Sequence, residues 1–319
     1  MKLPYEKRLE ASSKGTINNV LLNIKGGIGD VVCCEPTIRY AMKAFKNIEW
    51  SLATYAPELF EHIRFKSVFN LSTVEGQPDW DQFLVLNSYE EVTHLVWQFF
   101  SHMTTHCIDY PTLVLFGHQM PFEDRAIQLP EFAISHSGVL EALDKKCVIV
   151  HAGKHYQSKT IPSWFWNSFI KTLKSADVPV ALIGKKAGSS QGYVEIDESV
   201  DVDLRDKCSL RETVYLLKNC NWLLSNDSSP IHIAAAGDAF IGFISTLKRA
   251  DFITHCRNGV YGYKTKNFSV GYFGDHMDYN FNQIHTLSIE SVPAAIMKKV
   301  LPDPVEVAEF YIKMFKGQL

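Results

Sequence analysis

Twice along this chain a buried-looking strand runs into a short turn of small and polar residues and then into a helix. The first instance is Val20-Leu21-Leu22-Asn23-Ile24 followed by Gly26-Gly27-Ile28-Gly29-Asp30. Val31, Cys34, Ile38, Ala41 and Phe45 then step by three and four, which places them on one helix face. The second is Trp222-Leu223-Leu224-Ser225 followed by Asn226-Asp227-Ser228-Ser229-Pro230. There Ser229 is the expected N-cap, with Pro230 at the first helical position. Strands that alternate with helices favour parallel sheets joined by helical crossovers, and so an α/β fold.

The alternation restarts near Cys147, and the chain reads as two such domains. The expected boundaries are 1–135 for the first, 136–145 for a linker and 146–290 for the second. Residues 291–319 are expected to form helices that return to the first domain. Further strands are expected at Trp50–Tyr55, Phe83–Leu86, Cys147–Val150, Val178–Ile183 and Ala239–Ser245. Residues 88–107 read as helical, and 1–17 as a polar lead-in. Pro36 is expected to distort the first turns of its helix. Ser209-Leu210-Arg211-Glu212 has the form of a capping box, in which the hydroxyl and the carboxylate satisfy each other's backbone donors.

Composition narrows the class. With 46% hydrophobic and 21% charged residues in 319, the chain is globular, not disordered or fibrous. The formal net charge of −3 offers no global basic surface for nucleic acid. The charge is uneven. Residues 1–70 carry ten bases against seven acids, residues 71–140 one against nine, and residues 141–319 twenty-one against nineteen. A polyanionic partner would avoid the middle block. No apolar run reaches the length of a membrane span, and the seven cysteines contain no Cys-x-x-Cys pair. A cytoplasmic protein without a disulfide framework or a zinc site is the expectation.

Three segments carry candidate chemistry. Gly26, Gly27 and Gly29 allow a tight turn and a close approach by a ligand. Asp30 stands at the mouth of that turn, either as a functional carboxylate or as a cap for the helix it precedes. His151-Ala152-Gly153-Lys154 with Ser158-Lys159 again follows a strand, and a hydroxyl and an ammonium there suit a phosphate. Either lysine alone also reads as a solvated surface charge. In Asn226-Asp227-Ser228-Ser229-Pro230-Ile231-His232 the free backbone donors of a helix start suit a diphosphate. Asp227 would brace the turn or accept from a sugar hydroxyl, and His232 would be a polar contact or a packing histidine. Asp201-Val202-Asp203 reads as surface charge and not as a metal site.

In this order, these motifs resemble glycosyltransferase family 9, the lipopolysaccharide heptosyltransferase family. The matching pieces are Ile28-Gly29-Asp30-Val31, His151-Ala152-Gly153 with Ser158-Lys159 and Pro162, Cys208-Ser209-Leu210-Arg211-Glu212, and Asn226 through Ala236. The resemblance implies a GT-B fold of two Rossmann-like domains facing a cleft, and inverting, metal-independent transfer from a nucleotide diphosphate sugar, with no further cofactor. It implies Asp30 as the base and Lys159 at the donor phosphates. Ser158, Gly153, Asn226, Asp227, Ser228, Ser229 and His232 complete the implied donor site. Arg64 and Lys66 are the acceptor candidates if the acceptor is anionic. The chain departs from the family in having Ala152 before Gly153, where proline is usual, and Ser229, where glycine is usual. The acceptor implied is a glycan or lipopolysaccharide core. A hydroxymethylated DNA base is the alternative acceptor, and a non-catalytic nucleotide-sugar-binding module is the alternative function.

Overall fold

The computed structural model describes residues 14–15, 19–72, 89–95, 105–154, 159–185, 192–244, 253, 255–257, 260–261, 267–270 and 301–318. The expected strand at Phe83–Leu86, Ser158 and nearly all of the lead-in fall outside these residues. The chain divides into two compact units. The first is residues 1–130 with 255–259, and the second is residues 131–254 with 260–319.

The first unit holds a parallel sheet of β1 (Asn19–Ile24), β2 (Glu49–Thr54), β3 (Val68–Asn70) and β4 (Glu91–His94), ordered β3-β2-β1-β4. Strand β1 is central because it is apolar on both faces, with Val20, Leu21, Leu22 and Ile24 fully buried. Strand β4 corrects the helical reading of 88–107 at residues 91–94, while 88 and 96–104 lie outside the described residues. Val20 to Asn23 of β1 pair in parallel with Glu91 to His94, and that pairing overrides the local helical pattern. The chain order turns back between β1 and β4, and in open α/β sheets ligands bind beyond the strand ends at such a switch point.

Helix α1 (Ile28–Ala44) follows β1 and runs through Pro36 without a break in its assignment. Every residue from Val31 to Ile38 is buried, so its first turns are enclosed on all sides and not on one stripe alone. Polar side chains in that enclosed stretch are paired. Thr37 Oγ1 lies 2.7 Å from Thr112 Oγ1 on α2 (Asp109–Phe116). The fully buried Glu35 accepts from Arg39 Nε at 2.9 Å and from the Gln128 N–H at 2.9 Å, and lies 3.3 Å from His62 Nε2. Arg39 also donates to the carbonyls of Asp124 and Ala126, tying α1 to the chain that leaves the unit. Removing one member of such a buried network strands its partners, so Glu35→Ala should lower stability by about 3 kcal/mol. Urea unfolding measures this, and a loss below about 1 kcal/mol, the range of an exposed ion pair, would contradict it.

The second unit begins earlier than expected. Residues 136–145 are not a linker: they hold helix α3 (Ser137–Asp144), capped by the His136 side chain at the Val139 N–H. Its sheet contains β5 (Val148–His151), β7 (Val180–Leu182), β9 (Val202–Asp203), β10 (Trp222–Asn226), β11 (Phe240–Ile244) and β12 (Asn267–Val270). The order is β12-β11-β10-β5-β7-β9, and all paired neighbours are parallel. Two-residue strands β6 (Gly153–Lys154) and β8 (Gly192–Tyr193) form a small antiparallel pair beside it. The switch point here lies between β5 and β10.

Helix α4 (Ser163–Ser175) covers this sheet with Phe165, Trp166 and Phe169, all fully buried. Helix α5 (Leu210–Asn219) starts with the expected capping box. Glu212 N–H donates to Ser209 Oγ at 3.3 Å, and Ser209 N–H donates to Glu212 Oε2 at 2.7 Å. A six-residue helix, α6 (Ser229–Ala234), follows β10. The terminal helix α7 (Pro304–Phe315) packs on α4 within the second unit, which corrects its expected return to the first domain. Tyr311 decides this. Its ring meets Phe169 edge-on at 5.6 Å, and its hydroxyl donates to the Leu223 carbonyl of β10 at 2.6 Å.

Candidate active site

In the first unit, the turn after β1 requires glycine at its start. Gly26 has φ +140°, and a side chain there would press against the Asp30 carboxylate. Gly27 is the N-cap of α1 and Asp30 its third residue. Asp30 Oδ2 accepts the Gly27 N–H at 3.0 Å, so the carboxylate completes the helix start. The capping reading of Asp30 therefore holds. Gly29 and Asp30 are half-buried, and Gly26 and Gly27 are exposed. Beside this turn, Asn23 Nδ2 lies 2.9 Å from His94 Nδ1 at the end of β4. Partial loss of hydration, and then the nearby Lys25 ammonium, hold His94 below the ordinary imidazole value. The sequence reading missed His94 because β4 had been read as helix. Arg64 is exposed, and Lys66 is paired to Glu49 at 2.5 Å on the surface.

In the second unit, β5 and β10 end side by side, and their last residues interlock. Asn226 Nδ2 donates to the carbonyls of Gly153 and Lys159, each at 2.9 Å, while Asn226 Oδ1 accepts the Gly153 N–H at 3.3 Å. Asn226 is buried and spends its amide on the chain that carries Lys159. It is a clamp for that segment and not a surface contact. Gly153 is necessary to the same lock, since a side chain there would enter the His151 ring.

Lys159 Nζ lies 2.8 Å from Asp227 Oδ2, with the lysine 22% and the aspartate 4% exposed. Asp227 is thus a buried brace that holds the ammonium, and its own N–H donates to Ile244 O at 3.2 Å. The N-cap of α6 is Ser228 and not Ser229, and its hydroxyl does not cap the helix. Instead Ser228 Oγ lies 3.1 Å from His151 Nδ1, and Ser225 Oγ lies 3.2 Å from the same nitrogen. Ser229 is half-buried in the first turn, and His232 is buried within α6. His151 and Ser225 are the members of this cluster that the sequence reading quoted but did not assign to the site. Two serines three residues apart at a strand end, with a histidine at the end of another strand, were the available signal.

Loss of hydration pushes His151 down to about 4, with its Asn226 hydrogen bond acting weakly the other way. Its unfolded value is near ~6.5, so the fold favours the neutral ring. The sign is that of a depressed base. Its contribution is complete above pH ~6.5 and is lost as pH falls toward 4. Protein unfolding monitored between these limits should show a loss of up to about 3 kcal/mol that His151→Gln removes. An acid dependence identical in the variant would contradict the assignment.

Residues 85–240, just under half of the chain, match glycosyltransferase family 9 (heptosyltransferase). No curated protein sequence matches the chain. Among solved structures, a glycosyl transferase family 9 protein from Veillonella parvula is similar with a TM-score of 0.57 at 10% identity, covering 92% of this chain and 97% of that one. The E. coli ADP-heptose lipopolysaccharide heptosyltransferase II is similar with a TM-score of 0.59 at 11% identity, covering 94% and 100%. The dodecameric iron-containing heptosyltransferase TibC of enterotoxigenic E. coli, in complex with ADP-D-β-D-heptose, is similar with a TM-score of 0.57 at 14% identity, covering 93% and 76%. At these identities the structural likeness establishes the fold, which is that of GT-B enzymes. Among the described residues no helix is long and apolar enough to cross a membrane.

Proposed function

We propose that the chain is a nucleotide-sugar glycosyltransferase of family 9, working with inversion and without a metal at the donor diphosphate, a reading supported by the match of residues 85–240 to that family. The observation that carries the reading is the braced lysine at the switch point of the second sheet: Lys159 held by Asp227, on a segment locked by Asn226.

Departure of a nucleoside diphosphate places negative charge on the β-phosphate. A fixed ammonium stabilises that charge without reorganising at the moment of reaction. The backbone donors that begin α6 add to it, but a helix of six residues supplies little dipole of its own. Lys159 is therefore the main electrophilic group of the proposal, with Ser228 and Ser229 as hydroxyl donors to the same phosphates. Asn226, Gly153 and Asp227 act by fixing their positions.

The attacking acceptor hydroxyl needs a place for its proton, and Asp30 is the assigned base. In an inverting displacement the acceptor oxygen bonds to the anomeric carbon as the bond to the leaving phosphate breaks. The acceptor's proton passes to the carboxylate. One base and one cationic phosphate site balance the step. The heptose carried by the similar TibC complex makes an ADP-linked heptose the first donor to try. A glycan hydroxyl is the proposed acceptor. DNA is disfavoured by the single base against nine acids in residues 71–140.

Hydrogen exchange with and without ADP tests the donor site. Protection is expected at residues 151–154, 159–161 and 225–232. Protection confined to other segments, or none at saturating ADP, would overturn it.

A further inference from the structure

Two cysteines and a histidine from three separate stretches of the first unit converge on one buried point. Cys33 lies on α1, Cys107 just before α2, and His255 on the short segment that rejoins this unit. Their ligand atoms, the two Sγ and a ring nitrogen, lie within 4.8 Å of one another. All three residues are at most 4% exposed. A second imidazole, His106, stands beside them, its ring centre 6.0 Å from that of His255 and its Nδ1 3.8 Å from Cys107 Sγ.

We infer that Cys33, Cys107 and His255 supply three of the ligands of a zinc site. Tetrahedral zinc with bonds of about 2.3 Å to sulfur and about 2.0 Å to nitrogen needs its ligand atoms roughly 3.5–3.8 Å apart. The observed separations, within 4.8 Å, exceed that by at most about 1 Å. Two thiolates with an imidazole are a soft donor set that selects Zn2+ over the oxygen-seeking Mg2+ and Ca2+. Binding converts both thiols to thiolates and releases their protons to solvent, with no change of oxidation state.

The site has a structural consequence. Cys33 is one turn after Asp30 on the same helix, so a metal bonded to Cys33 would anchor the start of α1 to two distant parts of the unit. The sequence expectation of no zinc site rested on the lack of a Cys-x-x-Cys pair, and these ligands are too far apart along the chain for any local motif.

The test uses the full chain, purified with reductant. Elemental analysis should find about one zinc per chain. After chelation, Co2+ added to the wild type should give a thiolate-to-metal charge-transfer absorption that Zn2+ abolishes. Cys33→Ser and Cys107→Ser should each weaken zinc binding more than about tenfold in competition with a colorimetric chelator. Cys34→Ser, equally buried on the same helix but outside the cluster, should not. Less than about a tenth of a zinc per chain together with no thiolate–cobalt absorption would overturn the site. So would equal loss in Cys34→Ser, or a Cys33–Cys107 disulfide in protein purified without reductant that persists in the presence of zinc. The wild-type cobalt titration decides the matter even where a variant fails to fold.

Discussion

Asp30→Asn is expected to lower kcat by about 10²–10⁴-fold while leaving donor affinity almost unchanged. The substitution is nearly isosteric, and the asparagine oxygen can still accept the Gly27 N–H that Asp30 Oδ2 now accepts at 3.0 Å. The helix start is therefore kept and the proton acceptor is lost. A residue that serves only as a cap predicts something different: at most about 1 kcal/mol of stability and near-normal turnover. Because Asp30 visibly caps α1, stability must be measured alongside rate. A folded variant that retains more than about a tenth of wild-type turnover assigns Asp30 to the cap alone. A folded variant with a loss of 10²-fold or more assigns it to the chemistry as well.

Lys159→Ala is expected to weaken binding of a nucleoside diphosphate by about one to two decades, since a charge-assisted hydrogen bond contributes roughly 1.5–3 kcal/mol. The structure adds a second effect. Asp227 is 4% exposed and loses its ammonium partner, so the variant should also be less stable. The double variant Lys159→Ala with Asp227→Asn separates the two. Removing the stranded carboxylate should recover stability without recovering affinity. Calorimetric titration with ADP measures the affinity, and urea unfolding the stability. Unchanged affinity in Lys159→Ala would show that the ammonium serves Asp227 alone.

What could be read from the sequence was what is decided locally. The β1 strand, its glycine turn and α1 follow from apolar runs and helical spacing within about twenty-five residues. The Ser209–Glu212 box depends on a spacing of three and appears as expected. Asp30 and the 225–232 segment stand out as candidates because both sit where a strand hands over to a helix. The misreadings involve partners distant in the chain. Strand β4 exists because Val20 to Asn23 offer an open parallel edge. Helix α7 stays with the second unit because Tyr311 finds the Leu223 carbonyl and the Phe169 ring. The sequence could single out Asn226 as a candidate for the donor site, but not show that its amide is consumed by Gly153 and Lys159. Nor could it show that Asp227 and Lys159 form one unit, or that His151 lies between Ser225 and Ser228.

The central claim is that this chain activates a nucleotide diphosphate sugar. The most direct measurement is mass spectrometry of the purified full chain incubated with a panel of nucleotide sugars that includes ADP-linked heptose. The account predicts enzyme-dependent release of the nucleoside diphosphate from at least one donor, strongly reduced in Lys159→Ala. Intact donors across the whole panel, with no nucleoside diphosphate bound by the protein, would contradict it.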